Sequence, residues 1–201
     1  YGYIRSQPDQ DAARRELDQR DVLVVDWGGG TLDLTLCRVT FDRIIQKSNK
    51  GDGEIGGDKF DETLRNEIIK RFCQRENIPE SVQISGDAKL RLLDRSERHK
   101  IELSIEDEVD YYIPNFFQDP DKDLEYLLTR DELNEITQPL IDRGMDQIKS
   151  LLADANIGPG QVDLCLVAGG MASMPAIGAR LNELFGTNRV EIPQNSRTLV
   201  A

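Results

Sequence analysis

A single histidine, His99, serves the 201-residue chain. A histidine-built metal centre or a Ser-His-Asp triad therefore has little to draw on, and His99 reads as a residue on a polar helix face. Cysteine is equally sparse. Cys37, Cys73 and Cys165 are odd in number, far apart and form no C-x-x-C pair, which excludes a disulfide framework and points to reduced, buried thiols of an intracellular protein. No apolar run approaches membrane-spanning length and no charged-then-apolar leader opens the chain, so a soluble, cytoplasmic protein without a membrane partner is expected. Basic residues are also in deficit: 25 Lys and Arg face 37 Asp and Glu, a formal charge of -12. A polyanion is held mainly by cationic side chains, so nucleic acid is not the expected partner. A bound nucleotide would need metal and backbone donors as local compensation. The chain opens on Tyr1-Gly2-Tyr3 and stops at Val200-Ala201, and an excised piece of a longer protein is expected.

The most specific stretch is residues 22–35, where apolar Val22 to Val25 run into Asp26-Trp27-Gly28-Gly29-Gly30-Thr31-Leu32-Asp33. The first part reads as a buried strand. Three glycines in succession free the backbone to bend and to approach a ligand closely, with N–H groups pointing into the turn as a nest for phosphate oxygens. Thr31 adds a hydroxyl. Asp26 and Asp33 bracket the turn, and two carboxylates beside a phosphate repel it unless a divalent cation lies between them, so the pair implies magnesium. Beyond the turn Leu32, Leu34 and Leu36 alternate with Asp33, Thr35 and Cys37, which is strand periodicity and not the helix that follows a P-loop. The element is a strand, a phosphate turn and a returning strand. The blander alternative is a glycine-rich hairpin turn in which Asp33 satisfies backbone donors.

Residues 26–33 resemble the second phosphate motif of the seventy-kilodalton heat-shock chaperones, within the actin and sugar-kinase ATPase superfamily. Further motifs follow in the family's order. Gly51-Asp52-Gly53-Glu54-Ile55-Gly56-Gly57-Asp58, continued by Phe60 and Asp61, resembles the segment G-D-x-x-[LI]-G-G-x-x-F-D. Asp58 is also placed to cap the next helix, whose Phe60, Leu64, Ile68 and Phe72 fall on one face. Ser96 to Ser104 is similar to the adenosine-contacting helix C-E-x-x-K-x-x-L-S, with Glu97 and Lys100 three apart on one face, a spacing that a solvated ion pair would also produce. Leu166 to Pro175 resembles V-G-G-x-x-R-[IM]-P. A strand, a glycine pair and a helix starting near Pro175 is a generic nucleotide-approach geometry, and it serves many unrelated α/β proteins.

The rest of the chain reads as follows. Asp11 to Gln19 is a short helix or a loop, and Phe41 to Ser48 makes a third strand, completing an antiparallel meander. A polar helix runs from about Asp87 to His99. Ile101, Leu103, Ile105, Val109, Tyr111 and Ile113 alternate as a strand, a Pro-Asp turn lies at 119–121, and Leu124 to Leu128 returns. Thr129-Arg130-Asp131-Glu132 is a capping box that opens a helix toward Ala155, with a bend or split expected near Pro139 and an end at Gly158-Pro159-Gly160. Val162 to Ala168 is a strand, and the last helix reaches Phe185.

The resemblance covers residues 21–201 and implies an α/β fold: a ribonuclease-H-like, actin-like ATPase lobe formed by 21–57 and 134–201, after a leading segment 1–20, with an inserted smaller α+β subdomain at 58–133. This would be the second of two lobes, the first being absent from the chain. The resemblance assigns Gly28, Gly29, Gly30 and Thr31 to phosphates of ATP or ADP. It assigns Asp26 and Asp33 to Mg2+ through water and, with Thr31, to the catalytic group. Gly57, Asp58, Glu97, Lys100, Ser104, Gly169, Gly170 and Met171 would frame the nucleoside, with Asp58 at the ribose. Exchange factors or co-chaperones are the implied protein partners. Ile101 and Ser173 stand where the family carries the arginines that sandwich adenine, and Arg197 stands near a usual acid. Losing both cation–π contacts would weaken affinity by about tenfold to several hundredfold unless Met171 or Ile101 packs on the base. This motivates an alternative reading as a non-hydrolysing interaction module. An actin-like filament protein is a third reading.

Overall fold

The computed structural model describes residues 2–79, 81–118 and 121–193. Two short helices, α1 (Gly2–Ser6) and α2 (Gln10–Glu16), lead into β1 (Arg20–Trp27), β2 (Leu32–Val39) and β3 (Ile44–Asp52). Then come α3 (Gly57–Glu76), α4 (Gly86–Glu102), β4 (Glu108–Gln118), β5 (Asp121–Thr129), α5 (Arg130–Asp154), β6 (Leu164–Ala168), α6 (Pro175–Phe185) and β7 (Val190–Glu191). The chain divides into two compact units, Tyr1–Gly57 with Ile141–Ala201, and Asp58–Leu140.

The first unit is built on a five-stranded mixed sheet in the order β3-β2-β1-β6-β7. β1, β2 and β3 form the expected antiparallel meander, while β6 joins β1, and β7 joins β6, in parallel. Parallel neighbours cannot be linked by a tight turn. The long passage from β1 to β6 accordingly contains the whole second unit. Leu23, Val25 and Trp27 alternate onto one sheet face with Leu32, Leu34 and Leu36, all essentially inaccessible. On the opposite face Val22, Val39 and Leu166 pack with Ile4, Ala13 and Leu17, so the Asp11 to Gln19 stretch is partly helical and held by an apolar stripe.

In the second unit β4 and β5 form a two-stranded antiparallel sheet with an irregularity between Ile113 and Phe117. Phe60, Leu64, Ile68 and Phe72 of α3 are buried as their spacing predicts, and Phe72 stacks on Phe117 at 5.6 Å. The Thr129 capping box is present: the Thr129 amide donates to Glu132 Oε2 at 3.1 Å, and the Glu132 amide donates to Thr129 Oγ1 at 3.2 Å.

Several expectations are corrected. Ile101 is still in α4, and Leu103 caps it, so the strand-like alternation up to Ile105 belongs to a helix end and its turn; the strand starts only at Glu108. α5 does not split at Pro139, which is exposed, so one lost backbone bond in a 25-residue helix is tolerated. That helix ends before Asn156, which takes a positive φ of 55°, and the Gly158-Pro159-Gly160 stretch only introduces a short 3-10 turn. His99 is buried and lies edge-on to Tyr111 at 4.5 Å instead of facing solvent. The three cysteines are free, but Cys37 is only half-buried. Asp119-Pro120 of the anticipated turn and Arg197 lie outside the described residues.

Candidate functional site

β1 delivers Asp26 and β2 delivers Asp33 to directly opposed positions, so both carboxylates share one sheet face at the mouth of the turn. The turn is closed by the Gly28 amide donating to the Thr31 carbonyl at 2.9 Å. Gly29, Gly30 and Thr31 are exposed, and the Thr31 hydroxyl donates to Asp33 Oδ2 at 2.7 Å. Burial first, and then the charge of Asp33, push the Asp26 carboxyl above the ordinary carboxylate range. Among the described residues neither acid is paired with a cation.

Backbone crowding surrounds this turn. A Cβ on Gly56 would lie 2.2 Å from the Gly30 carbonyl carbon, and the Gly57 amide donates to the Gly28 carbonyl at 3.0 Å. Gly169, at φ +87°, approaches the Trp27 carbonyl so closely that its Cβ would stand 2.2 Å from that oxygen and 2.8 Å from Asp26 Oδ1. Gly51 faces Asp33 across β2 and β3, and a Cβ there would sit 3.0 Å from Asp33 Oδ1. Glycine is needed at 56 and 169 because no side chain fits.

The connection after β3 is fastened by Asp52. Burial alone would raise its carboxyl. The Glu54 amide, both contacts of the Arg143 guanidinium at 2.8 and 3.0 Å, and the Gln147 amide hold it below the usual range instead. The structure thus brings Asp26, Gly28, Gly29, Gly30, Thr31, Asp33, Gly57 and Gly169 together. Gly170 is exposed and opens a 3-10 turn in which Met171 is buried and the Ser173 hydroxyl donates to the Gly170 carbonyl at 2.9 Å.

The other anticipated residues belong to the second unit. Asp58 is exposed in the first turn of α3 and does not occupy a cap position. On α4, Glu97 is exposed and Ser104 half-buried, just past the helix end. The Lys100 ammonium lies 2.8 Å from Asp61 Oδ1, both side chains being less than a tenth exposed. Burial raises the Asp61 carboxyl, and Lys100 works against that rise. Ile101 is 44% exposed. Sequence reasoning missed Trp27, Gly51, Gly144 and the Asp61–Lys100 pair. Trp27 and Gly51 lay inside quoted motifs, whereas Gly144 carried no local signal.

A mixed α/β sheet that presents a backbone-lined turn between two opposed, cation-free carboxylates can seat a metal-bound anion. Among the described residues no group of three or more His, Cys, Asp or Glu is placed to hold a metal ion. Comparison with known proteins identifies the lineage. A family model described as Hsp70 protein matches residues 5–195. The chaperone protein DnaK of Cenarchaeum symbiosum is 34% identical over 167 residues, 82% of this chain and 25% of the relative. The mitochondrial heat shock protein SSC3 of Saccharomyces cerevisiae is 33% identical over 190 residues, covering 92% and 27%. A chaperone protein DnaK of Thermus thermophilus is 31% identical over 190 residues, covering 91% and 31%. The chain belongs to the Hsp70 protein family, and it spans about a quarter to a third of the length of these relatives. No helix among the described residues is long and apolar enough to cross a membrane.

Proposed function

We propose that the chain is the second lobe of the ATP-binding, ATP-hydrolysing domain of a heat-shock-type chaperone. It would be a ribonuclease-H-like subdomain of residues 21–57 and 134–201 carrying an inserted subdomain at 58–133. The observation that carries this reading is the glycine turn between Asp26 and Asp33, whose opposed carboxylates have no cation paired with them among the described residues. Gly28 to Thr31 hold the phosphates, the Gly28 amide closing the turn on the Thr31 carbonyl while the amides that follow it face the ligand, and the Thr31 hydroxyl, bonded to Asp33, borders them. Asp26 and Asp33 hold magnesium through water, and that ion supplies charge neutralisation at the phosphates. Asp26, half-buried with a raised carboxyl, is suited to accept a hydrogen bond from the attacking water. Glu97, Ser104, Asp58, Gly169, Gly170 and Met171 frame the nucleoside. Lys100 acts there only after sharing its charge with Asp61.

Phosphoryl transfer of this type depends on positioning and electrostatics, so one lobe without the other does almost nothing. The 201-residue chain is expected to show negligible ATPase activity, and the full-length protein is expected to bind magnesium-ATP at micromolar affinity or tighter by calorimetry. Asp26→Asn should abolish full-length turnover. A robust turnover by the isolated chain that disappears with Asp26→Asn would overturn the requirement for the first lobe.

A second reading is a non-hydrolysing module that docks an exchange factor or co-chaperone. It is favoured by the uncharged residues at 101 and 173, where Ser173 is turned onto its own Gly170 carbonyl. Absence of magnesium-ATP binding by the full-length protein would select it.

A further inference from the structure

The chain contains a single tryptophan, Trp27, and it lies inside the phosphate turn's own sequence, between Asp26 and Gly28. Its side chain is completely buried. The indole N–H donates to the Ile55 carbonyl at 2.6 Å. The ring lies over Gly144 of α5, where a Cβ would stand 2.3 Å from the ring carbon Cη2. Its own carbonyl is the oxygen that Gly169 approaches. Three positions that admit no side chain, Gly56, Gly144 and Gly169, therefore close around the four residues Trp27 to Gly30. The Ile55–Gly57 connection is held to the turn by three means: the indole hydrogen bond, the packing of Gly56 on Gly29 and Gly30, and the Gly57 amide bond to Gly28. That connection runs directly into the first turn of α3.

We propose that Trp27 is a positioning residue that locks the Ile55–Gly57 connection to the glycine turn, so that a phosphate seated in the turn is felt at the start of α3. The inference rests on the phosphate reading of the turn. A leucine or phenylalanine fills part of the same space but donates nothing to Ile55. The indole is the one side chain that both occupies the hollow over Gly144 and reaches that carbonyl with a donor. Rigid attachment matters because a turn built of glycines has little stiffness of its own.

The test uses the full-length protein and magnesium-ADP. In the unaltered protein the ligand should slow amide hydrogen exchange at residues 28–31 and at 53–57 together. Trp27→Phe should weaken binding about tenfold, the loss of one well-made hydrogen bond. At saturating ligand it should keep protection at 28–31 and lose it at 53–57, a pattern that a merely structural role would not produce. Unaltered affinity and intact protection of 53–57 in Trp27→Phe would overturn the proposal. Should that variant fail to fold, Gly144→Ala keeps the tryptophan but pushes its ring, and with it the N–H, off the Ile55 carbonyl. It should uncouple the same two segments, and retained coupling would overturn the proposal equally. If the unaltered protein binds magnesium-ADP without any change at 53–57, this inference falls and the phosphate reading stands. If it binds none, both fall.

Discussion

The two units meet the demands of a charged ligand in opposite ways. In the first, the candidate site is backbone and glycine, and its two acids face each other across β1 and β2 with no cation beside them. In the second, the one cation nominated for the nucleoside is already engaged, Lys100 being buried against Asp61, while Asp58 and Glu97 are exposed; beside Lys100, His99 Nδ1 lies 2.7 Å from Glu102 Oε2. One unit keeps electrostatic demand open, at a cost in like-charge repulsion. The other has met its demand internally and uses charge as part of its core. A ligand cation has something to gain in the first unit, whereas Lys100 of the second offers an anion a charge already shared with Asp61.

The sharpest way to break this contrast is Asp61→Ala. Removing the carboxylate takes from the buried Lys100 ammonium the acid 2.8 Å away, so the second unit should lose roughly 3–5 kcal/mol in denaturant unfolding. A neutral effect accompanied by tighter nucleotide binding would show Lys100 to be a releasable ligand and would erase the distinction.

Gly169→Ala probes the other side. A methyl there meets the Trp27 carbonyl, which cannot yield, in a left-handed conformation that already disfavours a side chain. Overpacking and backbone strain together should cost about 2–4 kcal/mol, and magnesium-ADP binding by the full-length protein should fall below detection in calorimetry. Wild-type binding would remove the 168–170 turn from the site.

How much of this was legible depended on whether the partners are neighbours in sequence. The glycine turn and its two acids are a single short stretch, and α6 begins at Pro175 and ends at Phe185 as read. The capping box and the α3 stripe were likewise local patterns. The buried pairing of Lys100 with Asp61 was not legible because Asp61 is on another helix, and the Glu97–Lys100 spacing says nothing about it. His99 was misread for the same reason, its environment being set by Tyr111 on β4. Alternation at Ile101, Leu103 and Ile105 imitated a strand in sequence only: at the helix end Leu103 is buried while Ile101 and Ile105 are exposed. Gly144 could not be read at all: it is a hole for the Trp27 ring, and a hole has no periodicity.

The repulsion between Asp26 and Asp33 gives a smaller effect with a definite sign. Folded Asp26 holds its proton more tightly than an unfolded aspartate, so its contribution favours the ligand-free fold below the ordinary carboxylate pKa. That contribution is lost as pH rises through the raised value. A cation prefers the ionised form, so magnesium affinity should fall as pH descends into the same window. Asp33→Asn should lower the Asp26 pKa, visible by carboxyl-carbon NMR titration. It should also stabilise the ligand-free protein at neutral pH by roughly a few tenths of a kcal/mol, even as it weakens binding. A raised pKa that persists in Asp33→Asn would leave burial as its entire cause.

The smallest expected effect tests whether helix starts obey the same division. In the second unit Ser85 caps α4 by accepting from the Ala88 amide, and Thr129 and Glu132 satisfy each other at the start of α5. Tyr126 also donates to Glu132 at 2.9 Å, and Arg71 is paired with it at 3.3 Å. In the first unit Asp9 likewise caps α2 by accepting from the Ala12 amide, whereas α6 starts at Pro175 and Met174 before it makes no side-chain cap bond. Thr129→Ala should therefore cost about 1 kcal/mol of stability, because Glu132 keeps its other partners while one amide loses its acceptor. Magnesium-ADP affinity of the full-length protein should not change. A drop in affinity without a drop in stability would mean that the second unit's polar groups serve the ligand as well as the fold, a result that the contrast between the units does not accommodate.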